Sequence, residues 1–306
     1  MDNVIITDVG PRDGLQNQAV HLSPETRLSL IQNLLECGLQ RVEVGAFVSP
    51  KAVPAMAGTD VITRALANIS AQDFQVLIPN AKGYDIALAN GAKTMMFVVC
   101  ASETMNQKNV RMSIEDSIND LAQLYKQAKA DGVKLITCIA VAWQCPFEGK
   151  TEPRQVWQMA EALQEIGADS LLIADTIGAA SPTAVKNLMA PLVKQFGQDN
   201  IGCHFHDTRA MGLANVYAAY EAGVRHFDAA IGGLGGCPFA PGATGNVATE
   251  DVVQMFQQMG VETNIDLDKL YQVGQQAGTL VKLESGGRGQ KFRSLQLEKG
   301  NSLNEL

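Results

Sequence analysis

Positive charge is in short supply. Against 32 aspartates and glutamates the chain sets 24 lysines and arginines, a net charge of −8 over 306 residues. That balance argues against nucleic acid or an anionic membrane as a partner. A small anionic ligand, which needs only a local basic cluster, stays open. Long apolar runs are also missing, and none approaches the ~18 residues of a membrane span. The opening "MDNVIITDVG" has neither a basic segment nor a signal-peptide core. The six cysteines (Cys37, Cys100, Cys138, Cys145, Cys203 and Cys237) form no CxxC pair. In a chain of this length they read as reduced thiols in a cytoplasmic setting. The dinucleotide fingerprint GxGxxG does not follow the first strand-like run, which leads into "GPRDGLQN" instead.

What is present is a repeating alternation. A helical stretch ends at glycine, and a short β-rich run follows. Gly38, Gly91, Gly132, Gly167, Gly197 and Gly223 each occupy such a stop. Ser23-Pro24, Ser113 with Asp116, Thr151 with Pro153, and Ser181-Pro182 mark helix starts. The pattern predicts eight strands, at 4–10, 41–47, 74–80, 94–101, 134–143, 170–176, 200–208 and 225–233. Several are apolar on both faces, as buried parallel strands are. Eight such units predict a (β/α)8 TIM barrel, with a doubly wound open sheet as the runner-up. Helices are expected near 248–260 and 266–282. Residues 1–282 read as one barrel domain and 283–306 as a polar, mobile C-terminal tail.

In such a barrel the active site lies where the C-terminal strand ends meet. Arg12 and Asp13 follow the first strand, and Glu43 lies on the second. Gln144 and Cys145 follow the fifth, and Asp175 and Thr176 end the sixth. His204, His206 and Asp207 end the seventh. Beyond the eighth come Cys237, Asn246 and Glu250. His204 and His206, at i and i+2 of a strand, point the same way. With the Asp13 carboxylate and the Asn246 carboxamide oxygen they form a mixed nitrogen and oxygen donor set. Such a set suits a divalent ion of the magnesium–manganese type, or zinc. Residues 232–246 hold six glycines around Cys237, a composition suited to a closing lid. Cys37, Cys100, Cys138 and Cys203 read as packing residues, and Cys145 as structural.

Six stretches carry a resemblance: "VGPRDGLQNQ" (9–18), "VEVGAFVSPKAVPAM" (42–56), "CPFEGK" (145–150), "DTIGAASP" (175–182), "HFHDT" (204–208) and "GGLGGCPFAPGATGNVATED" (232–251). Together they resemble the 3-hydroxy-3-methylglutaryl-CoA lyases, over residues 4–282. The stretch around Cys237 separates that branch from the synthases and carboxyltransferases of the wider superfamily. The resemblance implies a metal-dependent retro-Claisen cleavage of 3-hydroxy-3-methylglutaryl-CoA to acetyl-CoA and acetoacetate. Asp13, His204, His206 and Asn246 match the metal ligands. Arg12 matches the cation at the thioester oxygen, and Cys237 the lid cysteine. Glu43, Asp175 and Glu250 match polar residues of the catalytic site. For the base, water at the cation or the Cys237 thiol fits better than Asp13, which a bound cation weakens.

Trp143, Gln144, Arg209, Ala210 and Met211 depart from the lyase pattern at the expected rim. They keep open a related 3-hydroxyacyl-CoA such as citramalyl-CoA. A Claisen synthase is the weaker alternative, because those enzymes typically carry an extra C-terminal region. A non-catalytic barrel has to explain a full ligand set beside Arg12 and Cys237. Lys51, Lys108 and Arg111, expected in loops after strands two and four, are the basic candidates for coenzyme A phosphates. A homo-oligomer, most simply a dimer, is the expected assembly.

Overall fold

The computed structural model describes residues 3–67, 73–236, 245–283 and 286–300. Eight parallel strands close into a barrel: β1 (Ile5–Asp8), β2 (Arg41–Ala46), β3 (Asp73–Leu77), β4 (Thr94–Cys100), β5 (Lys134–Ala140), β8 (Ser170–Asp175), β9 (Ile201–Phe205) and β10 (His226–Ala229). Each lies within the range its sequence predicts, to about one residue. The ring closes where β1 pairs with both β10 and β2. A short antiparallel hairpin, β6 (Gln144–Cys145) and β7 (Gly149–Lys150), stands apart from it.

The helices are α1 (Pro24–Glu36), α2 (Thr59–Leu66), α3 (Ala81–Ala89), α4 (Glu103–Val110), α5 (Ile114–Asp131), α6 (Pro153–Glu165), α7 (Pro182–Phe196), α8 (Gly212–Glu221), α9 (Thr249–Gln258), α10 (Leu267–Val281) and α11 (Arg288–Glu298). The hydroxyls of Ser23, Ser113 and Ser181 accept the backbone N–H groups of Thr26, Asp116 and Ala184, as N-caps do. Thr151 departs from this pattern. Its hydroxyl donates to the Val141 carbonyl, and Glu152 takes the cap position without a side-chain bond. All six predicted glycine stops have positive φ. At Gly38 a Cβ would lie 2.4 Å from the Asn264 carbonyl oxygen, so a side chain is excluded there as well.

Two expectations need correction. β5 ends at Ala140 rather than near 143, because Val141 turns to φ 52° and takes the chain off the barrel. That conformation is costly for a β-branched residue. Two bonds hold it: the Val141 N–H donates to Thr176 Oγ1, and its carbonyl accepts from Thr151. The second correction concerns the stretch read as a tail. Its composition is polar, but residues 288–298 are helical. The helix start is capped from outside its own sequence, by Asp251 of α9, whose carboxylate accepts the N–H groups of Arg288 (2.7 Å) and Gly289 (3.0 Å). Among the described residues, no helix is long and apolar enough to cross a membrane.

Candidate active site

The turn after β1 builds the first wall. Gly10–Gly14 forms a single π-helical turn that carries Arg12 and Asp13 over the barrel mouth. Asp8 anchors it: one carboxylate oxygen accepts the Gly10 N–H (2.8 Å) and the other the Thr249 hydroxyl (2.6 Å). A Cβ at residue 10 would come within 2.8 Å of both Asp8 and Ile231, so the turn requires glycine there. Arg12 is buried, with Nε donating to Glu43 Oε2 (2.6 Å) and Nη1 to Asp13 Oδ1 (2.9 Å). Nη2 has no hydrogen bond among the described residues.

The second wall comes from β9. The rings of His204 and His206 are 5.2 Å apart between centroids, on one face of the chain as their spacing predicts. One ligand atom from each of Asp13, His204 and His206 lies within 4.8 Å of the others. Asn246 joins them because the chain after the glycine-rich segment pairs with the end of β9. His206 and Asn246 form a bridge, and the N–H groups of Asp207 and Val247 donate to the carbonyls of Gly245 and Phe205. Asn246 Nδ2 donates to Asp13 Oδ2 (2.8 Å) and to the Leu234 carbonyl (3.0 Å). Its Oδ1 is buried and without a partner among the described residues, as is His206 Nδ1. A buried carbonyl oxygen left unpaired beside two imidazoles and a carboxylate is costly without a cation and natural with one. The residues present therefore fit a divalent metal.

Electrostatics agree with this arrangement. Burial opposes ionisation of Asp13, but Arg12, the two imidazoles and Asn246 hold its pKa down at about 2. Burial would lower the Arg12 pKa, yet Glu43 and Asp13 outweigh it and raise it. Burial also pushes Glu43 up to about 7, with Arg12 opposing; its Oε1 has no partner among the described residues. Burial and the neighbouring His204 lower His206 to about 4, which keeps it neutral and able to ligate. His204 behaves differently: its Nδ1 lies 3.1 Å from Asp228 Oδ2, and that partner raises its pKa against the effect of burial. Asp228 carries no mark in the helix and strand pattern. The available signal is that it is the single charged residue in "FDAAIGGLGG" (227–236).

The remaining candidates are placed differently. Glu43 stands behind Arg12 rather than on the cavity wall. Both oxygens of Asp175 accept backbone N–H groups, from Ala179 and Ala180, so it shapes the loop after β8. Glu250 is fully buried and clamps Gly232 (3.0 Å) to Gly287 (2.8 Å) through their N–H groups. As they stand, Asp175 and Glu250 are positioning groups, not groups that face the cavity. The Cys145 thiol reaches across to the start of α4, 3.0 Å from Ser102 Oγ. Cys237 and most of the predicted lid lie outside the described residues.

A cavity of about 460 Å³ opens at this rim. Arg12, Asp13, His204, His206 and Asp228 face it from β1, β9 and β10 and the turns they carry. The opposite half, from β3, β4, β5 and β8, is apolar and includes Leu77, Met96, Cys138 and Leu172. Cys100 and Cys138, read as packing residues, therefore line the cavity; the inward face of a barrel strand looks like core in sequence. Trp143, Gln144, Arg209, Ala210 and Met211 do not line it. Toward the mouth, Ser49, Ala52 and Val53 flank Lys51, and Met105, Asn109 and Val110 lie beside Lys108 and Arg111. Lys108 sits in α4 rather than a loop, its ammonium 4.9 Å from the Phe147 ring centre, and Arg111 caps that helix in the left-handed region.

Residues 3–276 match the HMGL-like family model. The (R)-citramalyl-CoA lyase of Chloroflexus aurantiacus is 41% identical, with 88% of each chain covered. The hydroxymethylglutaryl-CoA lyase of Bacillus subtilis is 39% identical, covering 87% of this chain and 89% of that protein. Among solved structures, an HMG-CoA lyase from Acinetobacter baumannii in complex with coenzyme A and 3-methylmalate superposes with a TM-score of 0.91. It is 35% identical, over 99% of this chain and 97% of that one.

Proposed function

We propose, for a chain that belongs to the HMGL-like family and is a carbon–carbon lyase, a divalent-metal-dependent retro-Claisen cleavage of 3-hydroxy-3-methylglutaryl-CoA to acetyl-CoA and acetoacetate. The observation that carries this reading is the convergence of Asp13, His204, His206 and the unpaired Asn246 Oδ1 beside the Arg12 guanidinium, at one cavity.

Asp13, His204, His206 and Asn246 hold the ion, magnesium or manganese. When bound, it acidifies the substrate's tertiary hydroxyl and orients its carboxylate. The chain's own residues do the rest. Arg12 turns Nη2 to the thioester oxygen, where negative charge grows as the C–C bond breaks. Its other two nitrogens are fixed by Glu43 and Asp13, so the fork is set before substrate arrives. Asp228 holds the His204 ring through Nδ1 and leaves Nε2 for ligation. The Cys237 thiol, on the segment between Gly236 and Gly245, protonates the acetyl-CoA enolate or takes part in removing the hydroxyl proton. Lys51, Lys108 and Arg111 meet the coenzyme A phosphates at the cavity mouth. The enzyme works in the cytoplasm as a homodimer.

Cleavage of citramalyl-CoA is the second reading, favoured by the identity to the Chloroflexus enzyme. The test is thioester turnover with each substrate in magnesium or manganese, before and after chelation. Metal-dependent release of acetoacetate and acetyl-CoA is expected. Turnover of citramalyl-CoA alone selects the second reading, and full activity after chelation removes the metal from both.

A further inference from the structure

A second cavity, of about 30 Å³, lies inside the barrel toward the N-terminal ends of the strands. Met96, Leu172 and Asp228 line both it and the cavity at the rim, so among the described residues Asp228 is the one charged side chain in the partition between them. Ser170 and His226, half-buried at strand starts, stand at the outer end of the lower cavity, where water can enter. Gln75, on β3, is 1% exposed and also lines it, and its Nε2 has no hydrogen-bond partner among the described residues. The Asp228 carboxylate has one side-chain partner among them, His204 Nδ1.

A buried amide N–H without an acceptor is costly, and a buried carboxylate with one donor is short of them. Here the two face one cavity, whose volume is that of about two waters. Glu43, the register partner of Gln75 on β2, also has a buried oxygen without a partner among the described residues, but it does not line this cavity. Thr7 does, and as the register partner of Asp228 on β1 it points to the same side of the barrel wall. We infer that Gln75 is a positioning residue for the metal centre. Water in the lower cavity accepts from Gln75 Nε2 and donates to the Asp228 oxygen that His204 does not use. That second bond fixes the plane of the carboxylate, and with it the His204 ring. The inference rests on the reading of His204 as a metal ligand. It carries the support of that ligand through Asp228 to β3, which stands opposite β9 in the eight-strand ring.

Two substitutions separate a water bridge from simple packing. Gln75→Leu keeps the bulk and removes the donor. Gln75→Asn keeps the donor and leaves room for a further water. Calorimetry with manganese should show affinity about tenfold weaker for the leucine variant and within about threefold of the parent for the asparagine variant. If Gln75 only fills space, the order is reversed. A second readout needs no metal. In the metal-free chain labelled with ¹⁵N-histidine, the His204 Nδ1–H proton, assigned by its loss in His204→Gln, should be protected from exchange. That protection should fall in Gln75→Leu and persist in Gln75→Asn. Gln75→Met takes the place of the leucine variant if that one does not fold. Parental affinity with an unchanged Nδ1–H signal in the apolar variant overturns the inference, as does an asparagine variant that is the weaker of the two. A parent chain that binds no manganese removes the metal reading instead, and the Nδ1–H comparison then decides by itself whether Gln75 holds Asp228 against His204.

Discussion

Asp228 lies directly across the β9–β10 pairing from His204, and its carboxylate is 3.1 Å from His204 Nδ1. The bond sets which imidazole nitrogen is left for a metal and keeps the ring from rotating. Asp228→Asn preserves the shape but lets the amide present its NH2 to Nδ1. Metal affinity should fall by about 10- to 100-fold. Metal titration followed by calorimetry checks this; an unchanged affinity would show that Asp228 does not orient the ligand.

Arg12 meets two carboxylates with two of its nitrogens and offers the third to the cavity. A lysine reproduces the charge but not this fork. Arg12→Lys should lower kcat by roughly 10²- to 10³-fold and move KM little, because the enolate charge exists only in the transition state. Steady-state kinetics beside Arg12→Met test the point. A lysine variant within about tenfold of the parent rate would take the role from the guanidinium.

Asp8 is fully buried under the Gly10–Gly14 turn, and desolvation raises its pKa to about 7, against the Thr249 and Gly10 hydrogen bonds. A carboxyl whose folded pKa is raised stabilises the fold fully below its unfolded pKa. That contribution is lost as pH rises through the folded value. The parent should therefore lose stability between about pH 4 and pH 7 from this group. Asn fits the same contacts, accepting from Gly10 and donating to Thr249. The Tm of Asp8→Asn relative to the parent should rise from about pH 4 to pH 7 and level off above that. A constant difference would mean that Asp8 does not titrate in this window.

Gly287 lies between Glu250 and Asp251 at the base of α11. A Cβ there would sit 2.3 Å from Asp251 Oδ1. Gly287→Ala should cost about 1–3 kcal/mol. It should also disturb Gly232, which the Glu250 carboxylate holds in common with Gly287 and which begins the glycine-rich segment. Denaturant unfolding measures the first effect. An unchanged midpoint would show that the C-terminal segment is not anchored by this clamp.

Strand positions, helix stops and three of the serine caps were legible in sequence because each depends on a few adjacent residues. Apolar runs, a glycine past a helix and a serine before one act over less than two turns of chain. Most of the candidate metal site was legible for a related reason: His204 and His206 share a strand face by spacing alone, and Asp13 follows a strand end that a closed barrel brings to the rim, whereas Asn246, well past the predicted eighth strand, joins them because the chain there pairs with the end of β9. What tertiary structure alone decided lies between elements. Asp228 meets His204 through the register of β10 on β9. α11 has few apolar residues of its own, and its first N–H groups are satisfied by Asp251, 37 and 38 residues away in sequence. Asp175, at its predicted strand end, and Glu250, at the start of the helix after the glycine-rich segment, turn their oxygens to backbone amides instead of the cavity. Cys138, an ordinary core residue by pattern, reaches the cavity because β5 presents its inward face opposite the charged half. Local sequence sets which conformations a segment prefers. Which side chains face one another across the barrel is set by closure and register, where the partners are far apart in the chain and no local signal records them.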